Sequence, residues 1–174
     1  MMDRSGIAEF HPDGQRAITT GKLWDWRTGK LLRTFEHNIR PYGWQDQVLS
    51  HDGKRLITVR TSEGVSEALV WDLETGAQVL EPMRHDQLIR HVGFSPDDRW
   101  IATAGLDPVA KIWNGETGEL LHVLELGGGV WHVSFSPNGD RVVTSCSDNT
   151  AQVWDVKTGT KIGEAPVHKE GVKK

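Results

Sequence analysis

The chain has 174 residues, enough for one domain, and its 20 Lys and Arg against 24 Asp and Glu give a formal net charge of -4. This charge provides no basic surface for nucleic acid and no polybasic segment for acidic lipid, so we expect neither nucleic acid nor a membrane as a partner. The single cysteine, Cys146, excludes an intrachain disulfide framework and fits a reducing compartment, and no signal-like or membrane-length apolar run is visible, so we expect a cytoplasmic protein.

A six-residue motif, Trp-Asp-x-x-Thr-Gly or a close variant, occurs four times. Its copies begin at Trp24, Trp71, Trp113 and Trp154, at steps of 47, 42 and 41 residues. A period of this length is typical of repeat proteins whose units cannot each bury a core alone. The sequence therefore predicts a single repeat region, 1–174, with units at about 7–36, 44–81, 89–124 and 130–164, and with 165–174 as the start of a fifth unit or a tail.

Each unit contains a turn of similar composition after its first strand. In chain order these turns lie at 10–14, 49–53, 95–98 and 135–139. Each contains Asp or Asn together with Pro, Gly or both, and these residues preset or tolerate the backbone angles of tight turns.

The third unit is the most regular and predicts four short strands, at 89–94, 100–104, 109–113 and 119–124. Turn residues separate these strands, so we expect an antiparallel meander. No stretch of the chain shows a sustained helical period.

The first strands of units three and four contain an irregular spacing. Their apolar residues are separated by three and then two positions: Ile89, Val92 and Phe94, and Val130, Val133 and Phe135. A spacing of three breaks the strand period, which predicts a β-bulge just before Val92 and Val133.

These motifs resemble the WD-repeat β-propeller family over essentially the whole chain, and most of all its bacterial members. The resemblance implies an all-β fold in which each unit is one four-stranded antiparallel blade. Four blades are fewer than this family commonly uses, so we expect a partial ring or half of a dimeric ring. Either the chain is a piece of a longer propeller that supplies additional blades, or two chains close an eight-bladed ring about a two-fold axis. Both alternatives leave two apolar blade faces exposed on the single chain.

The resemblance also implies a buried hydrogen-bonded group of His, Ser or Thr, Asp and Trp in each blade. Unit three has the full set, and unit four retains three members, with Leu126 at the position of the histidine. The matching residues are His85, Thr103, Asp107 and Trp113 in unit three, and Thr144, Asp148 and Trp154 in unit four.

Units one and two depart from this pattern. Unit two has Trp71 and His37, but Val65 stands where the acid is expected, and either Glu63 or Glu67 could replace it. In unit one Thr20 precedes its Trp by four residues, against ten in unit three, so about six residues of a turn are missing and the unit is degenerate or damaged.

Four residues are candidates for a partner-binding face. Arg90 and Trp131 occupy equivalent positions at the expected bulges, and Leu106 and Ser147 each precede the turn Asp. The family resemblance implies that such positions line the binding face, and Trp and Arg are enriched at interaction hot spots. The alternative interpretation is that the four residues are ordinary surface.

No catalytic, cofactor or metal site is expected. His91 and His132 could face each other near the channel, but no carboxylate or thiolate cluster completes a metal site. Gly127–Gly129 is not followed by the helix that a phosphate loop needs, and Cys146 has no nearby basic group to activate it. We therefore expect a non-catalytic scaffold that binds a protein or peptide, with a regulatory or signalling role. The alternative is a small-molecule-binding or enzymatic propeller with its site at the channel mouth.

Overall fold

The structure, a computed structural model, describes residues 8–36, 47–62 and 64–163. Within these ranges sixteen strands form four antiparallel sheets of four strands, and each sheet uses strands that are consecutive in the sequence. The expected all-β fold with four four-stranded blades is confirmed. The expected unit limits at 7, 44 and 164 and the segment 165–174 lie outside the described residues. Nowhere in the described ranges is there a helix long and apolar enough to cross a membrane.

The sheets follow one another along the chain. The first sheet consists of β1 (Ala8–Phe10), β2 (Arg16–Thr19), β3 (Lys22–Asp25) and β4 (Lys30–Thr34), and the second of β5 (Gln47–Leu49), β6 (Arg55–Ser62), β7 (Val65–Asp72) and β8 (Met83–His85). The third sheet consists of β9 (Ile89–Phe94), β10 (Trp100–Gly105), β11 (Val109–Asn114) and β12 (Leu120–Glu125), and the fourth of β13 (Val130–Phe135), β14 (Arg141–Cys146), β15 (Ala151–Asp155) and β16 (Lys161–Ile162).

The repeated motif forms the turn between the third and fourth strands of each sheet. In the first sheet Asp25 Oδ1 accepts the backbone N–H groups of Arg27 and Thr28, both at 3.0 Å. The N–H of Gly29 donates to the Asp25 carbonyl at 2.9 Å, and Gly29 has a φ of 69°, which glycine adopts without a steric penalty. In the other sheets Asp72, Asn114 and Asp155 likewise accept the backbone N–H of the threonine three positions further on. The turn needs a side-chain oxygen rather than a charge, which explains the Asn in the third copy.

The β-bulges expected just before Val92 and Val133 are confirmed. On β9 the residues on either side of Arg90 pair with consecutive residues of β10, so Arg90 is the extra residue. On β13 the register skips one residue in the same way, at Trp131.

Successive sheets pack face to face, and an apolar core fills each junction between them. The cores include Ile18, Leu23 and Leu56 between the first and second sheets, Ile57, Val70 and Ile101 between the second and third, and Ala102, Ile112 and Val142 between the third and fourth. The first strand of each sheet lies innermost, and these four strands line a shared groove of about 390 Å³.

The second sheet extends to His85, beyond the limit of 81 expected for its unit. β6 and β7 are eight residues each, and their pairing continues to Ser62 and Val65. Because this hairpin is long, β8 pairs with its far end, at Ser66–Ala68. The fourth strand of this sheet therefore begins farther along the chain after the motif turn than in the other sheets.

Candidate functional site

In every sheet the tryptophan of the repeat motif donates its indole N–H to a threonine hydroxyl on the second strand. The pairs are Trp24 to Thr19 at 2.8 Å, Trp71 to Thr58 at 2.8 Å, Trp113 to Thr103 at 2.9 Å and Trp154 to Thr144 at 3.0 Å. Because an indole N–H only donates and a hydroxyl oxygen can accept, the bond joins the second and third strands by their side chains as well as their backbones.

In the third sheet the structure brings together all four side chains named from the resemblance. His85 is buried, with Nδ1 2.8 Å from the Asp107 carboxylate and Nε2 2.8 Å from the Thr103 hydroxyl. A carboxylate only accepts, so Nδ1 carries the proton, and Nε2 accepts from the hydroxyl, whose oxygen receives the Trp113 indole N–H. Donors and acceptors match when the imidazole is neutral. Burial lowers the pKa of His85 despite the opposing effect of Asp107, which agrees with the neutral form.

This group connects two sheets. His85 ends β8 of the second sheet, whereas Asp107 follows β10 of the third. Asp107 also accepts the backbone N–H of Gln87 at 3.3 Å, and the N–H of Leu106 donates to the Leu88 carbonyl at 2.9 Å. These bonds hold the segment that connects the second and third sheets, just before Arg90. The group therefore fixes the backbone that carries the candidate binding face.

The fourth sheet has a smaller group than the family resemblance implies. Thr144 accepts from Trp154 and donates to the Gln152 carbonyl at 3.3 Å. The carboxylate of Asp148 instead accepts the backbone N–H of Thr150 at 3.0 Å and its hydroxyl at 2.6 Å. Without a histidine to bridge them, Asp148 closes its own turn and does not join the buried pair.

The first two sheets use threonines that the sequence reasoning missed. Thr20, considered for unit one, occupies the tight β2–β3 turn with a φ of 49°, and Thr19 bonds the tryptophan. Thr58 precedes Trp71 by 13 residues because the β6–β7 hairpin is longer. In every sheet the threonine lies two positions after the residue paired with the tryptophan. Counting by strand register rather than by sequence distance would have found both residues.

Glu67, one of the two acids considered for unit two, lies elsewhere. It makes ion pairs with Arg60 and with Arg84, the latter at 2.9 Å, and hydrogen bonding by Arg60 lowers its pKa. The other acid, Glu63, and His37 lie outside the described residues. In the second sheet the hydroxyl of Thr58 donates to the Glu36 carbonyl at 2.6 Å, so a backbone oxygen is the acceptor for this threonine.

The four residues of the candidate binding face line one pocket of about 190 Å³ at the junction of the third and fourth sheets. The lining residues are Gln87, Arg90, Leu106, Gly129, Val130, Trp131 and Ser147. The guanidinium carbon of Arg90 lies 3.8 Å from the ring centroid of Trp131, a cation–π stack, and Trp131 is 44% exposed. We call this feature the Arg90–Trp131 pocket.

Local backbone geometry explains how these side chains meet. Arg90 and Trp131 are the extra residues of two equivalent bulges, which turn their side chains out of the regular alternation. Ser147 N–H donates to the Gly129 carbonyl at 2.9 Å, which repeats the Leu106–Leu88 contact of the preceding sheet.

The glycine run before β13 lets its backbone pass close to the loops of this pocket. A Cβ on Gly128 would lie 2.6 Å from the Ser147 hydroxyl, and a Cβ on Gly129 would lie 3.0 Å from the Leu106 carbonyl oxygen. The run is therefore a packing feature of the junction, and a strand follows it rather than a helix.

Three candidates remain: His91, which lines the groove shared by the four first strands (the central groove), its neighbour His132, and Cys146. His91 and His132 stack with their ring centroids 4.0 Å apart. Among the residues that the structure describes, no three His, Cys, Asp or Glu side chains are grouped to hold a metal ion. Cys146 is buried, and burial raises the pKa of its thiol to about 11, which disfavours the reactive thiolate.

The protein-family comparison finds two repeats, and each spans parts of two neighbouring sheets. The model described as "WD domain, G-beta repeat" matches residues 77–114 and 118–155. Each match starts before the fourth strand of one sheet and ends at the third strand of the next, so the first contains both His85 and its partners on the third sheet.

Several curated proteins are similar to parts of the chain. The Notchless protein homolog of Arabidopsis thaliana is 51% identical over 39 residues, which cover 22% of this chain and 8% of that protein. Ribosome assembly protein 4 of Saccharomyces cerevisiae is 38% identical over 92 residues, covering 53% and 16%. Eukaryotic translation initiation factor 3 subunit I of Phaeosphaeria nodorum is 29% identical over 127 residues, covering 65% and 37%.

The chain thus spans less than half the length of each of these relatives. The relatives come from a plant and two fungi, so the expectation of a bacterial type of protein is not confirmed. The two matched repeats, together with these similarities, support the WD-repeat family for this chain.

Proposed function

We propose that this protein is a non-catalytic scaffold that binds another protein or a peptide at the Arg90–Trp131 pocket. One observation carries the proposal: four side chains from two adjacent sheets meet around one opening, and an arginine stacks on an exposed tryptophan there. Arg and Trp are over-represented among the residues that contribute most to protein–protein binding.

The size and rigidity of the pocket favour part of a polypeptide as the ligand. A volume of about 190 Å³ is smaller than the roughly 300–1,000 Å³ typical of small-molecule sites and suits one or two side chains. The bulges and the His85–Asp107 bond hold the surrounding backbone before any ligand arrives. A preorganised site loses less conformational entropy on binding.

Two relatives carry names that agree with a role in assemblies. One is named for ribosome assembly, and another is named as a subunit of a translation initiation factor. A regulatory or signalling role, and a place in the cytoplasm, remain predictions from the sequence.

The central groove supports a second candidate, a small-molecule site. Its volume of about 390 Å³ falls within the usual range, and His51 and His91 are among its lining residues. The Nδ1 atom of His51 is hydrogen-bonded to the Asp98 carboxylate at 3.0 Å, and the ring of His91 packs on that of His132. A small molecule that raises the melting temperature of the protein, and loses this effect in His91→Ala, would favour the groove over the pocket.

Selection of peptides from a random displayed library tests the main proposal. Peptides selected on the wild-type chain should bind Arg90→Ala and Trp131→Ala about 30-fold more weakly, because such residues contribute about 2 kcal/mol or more. Arg99→Ala and Val123→Ala are controls, since both side chains are exposed away from the pocket and belong to neither open sheet face described below. Affinity is measured with single soluble peptides, and melting temperatures show that each variant is folded. If the selected peptides bind the double variant of Arg90 and Trp131 as tightly as the wild type, the proposal is wrong.

A further inference from the structure

The three junctions between sheets are built in the same way. In each, a row of apolar side chains crosses one sheet in register and packs against the preceding sheet. In the third sheet this row is Phe94, Ile101 and Trp113, which pair directly across β9, β10 and β11 and are buried. The equivalent buried residues include Leu49, Leu56 and Leu73 in the second sheet and Val142, Trp154 and Val156 in the fourth.

The first sheet has the same row, but none of the sheets in residues 8–36, 47–62 and 64–163 covers it. Phe10 pairs with Ala17, Ala17 with Trp24, and Trp24 with Leu31, so these side chains share one face. Phe10 is 68% exposed, and Trp26, at the position of the buried Leu73 and Val156, is 48% exposed. We call Phe10, Ala17, Trp24, Trp26 and Leu31 the open face of the first sheet.

The fourth sheet presents the complementary half of a junction. Val143 pairs with Val153, and Val153 with Ile162, on the side that faces away from the third sheet. Val143 is 42% exposed and Ile162 is exposed as well. The equivalent pairs in the preceding sheets, Ile18–Leu23, Ile57–Val70 and Ala102–Ile112, are buried against the next sheet. We call Val143, Val153 and Ile162 the open face of the fourth sheet.

The motif turn of the first sheet also leaves room for a neighbour. In the other three sheets a side chain from the preceding sheet packs at the turn glycine: Arg33 at Gly76, Leu80 at Gly118, and His122 at Gly159. Gly29 is the equivalent glycine of the first sheet, and no atom of the described part of the chain, apart from its own residue and its two chain neighbours, lies within 4 Å of the position that its Cβ would take.

We propose that a second copy of this chain covers both open faces. The open face of the fourth sheet in each copy packs on the open face of the first sheet in the other, about a two-fold axis. One two-fold operation satisfies both faces at once and closes eight sheets without an exposed apolar face. In each internal junction, the face equivalent to the open face of the first sheet packs on the face equivalent to the open face of the fourth sheet. Each copy of the chain has one open face of each kind. This assembly is independent of the binding function proposed above.

The junction between copies lacks one contact of the internal junctions. The residue of the fourth sheet that corresponds to Arg33 and His122 is Gly163, nine positions after the motif tryptophan, and it has no side chain to place on Gly29 of the other copy. We therefore expect a dimer that dissociates on dilution.

Light scattering and sedimentation of the whole 174-residue chain over a range of concentrations test the assembly. The expected mass at high concentration is twice that of the 19.4 kDa chain. Leu31→Glu and Val143→Glu place a charge on one open face each, so each variant alone should be monomeric. Val123→Glu is a matched control, because Val123 is 47% exposed on β12 and belongs to neither open face, and this variant should remain dimeric.

Mixing the two variants tests the pairing of unlike faces. Leu31→Glu keeps an intact fourth-sheet face, and Val143→Glu keeps an intact first-sheet face, so an equimolar mixture should form a heterodimer through one intact junction. If like faces associated, mixing the two variants would not restore a dimer, and a mixture that stays monomeric contradicts the proposal. A wild-type chain that is monomeric at every concentration also overturns it, and the open faces would then be covered by sheets other than those of a second copy. Open-ended polymers overturn the two-fold closure.

Discussion

The Nδ1 atom of His85 lies 2.8 Å from the carboxylate of Asp107, so a side chain at the end of the second sheet anchors a turn of the third. His85 is buried and also accepts from Thr103. The third sheet is the only described one that has this bridge, and it is also the sheet that carries Arg90. The stability of this junction and the geometry of the candidate binding site therefore depend on the same group.

Replacing His85 with leucine, the residue type present at this position before the fourth sheet, should destabilise the protein by about 3 kcal/mol. Leucine fills the space but leaves the Asp107 carboxylate and the Thr103 hydroxyl without their partner, and a buried unsatisfied charged group is costly. Urea unfolding at fixed protein concentration measures the change. His122→Ala is the control, since His122 is half-buried with one bond to the Lys157 carbonyl at 3.2 Å, and we expect it to lose at most about 1 kcal/mol. Equal losses in the two variants would contradict the special role of His85.

Folding stability should fall as the pH drops below about 6.5, with His85 as one cause. Burial lowers the pKa of His85 from 6.5 in the folded protein, so the unfolded chain binds this proton more readily. Stability increases with pH wherever the unfolded state binds more protons, so the contribution is complete above pH 6.5 and is lost as the pH falls toward the folded pKa. The slope from one such group is at most about 1.4 kcal/mol per pH unit. Unfolding free energies at pH 5 and 7 should differ less in His85→Leu than in the wild type, and an equal difference would exclude His85 as a cause.

Gly76→Ala should destabilise the protein more than Gly29→Ala, although the two glycines have φ values of 74° and 69°. Both substitutions strain a left-handed backbone, which costs about 1 kcal/mol. At Gly76 the new Cβ would also lie 2.5 Å from Arg33 Nη1, whose guanidinium bonds the carbonyls of Glu74 and Thr75 at 2.7 and 3.0 Å. Displacing it should cost about 1 kcal/mol more. Thermal unfolding of the two variants gives the comparison, and identical losses would show that the Arg33 contact contributes nothing.

Asp98→Ala should weaken the junction between the second and third sheets by about 2 kcal/mol. The carboxylate of Asp98 is buried and accepts the backbone N–H groups of His51 and Asp52, both at 2.9 Å. Asp98→Asn should lose less, because the amide oxygen can keep one of these bonds and asparagine tolerates the φ of 59°. Urea unfolding of both variants provides the test. A loss in Asn as large as in Ala would indicate that the charge, rather than the hydrogen bonds, stabilises the junction.

Much of the fold follows from local features of the sequence. The motif turns could be placed because Asp25, Asn114 and their equivalents bond groups only two or three residues away. The bulges could be placed because an extra residue at Arg90 or Trp131 changes the spacing of apolar residues within one strand.

The hydrogen-bonded groups were harder to infer because they depend on distances between strands. Thr58 was missed because the β6–β7 hairpin is longer than the others, which changes the sequence distance but not the register. Glu67 has a suitable side chain, yet two arginines on neighbouring strands bind it.

The sequence by itself determined the repeat, the number of four-stranded sheets and the equivalence of Arg90 with Trp131, because periodicity and turn chemistry act over a few residues. The tertiary structure decided that these two side chains stack and that His85 belongs to the sheet before its partners. It also decided that the first and fourth sheets each have an apolar face that the other described sheets do not cover. These relationships depend on how one sheet packs against the next. Side chains that are tens of residues apart meet only after that packing has formed, so spacing along the chain does not encode their distances.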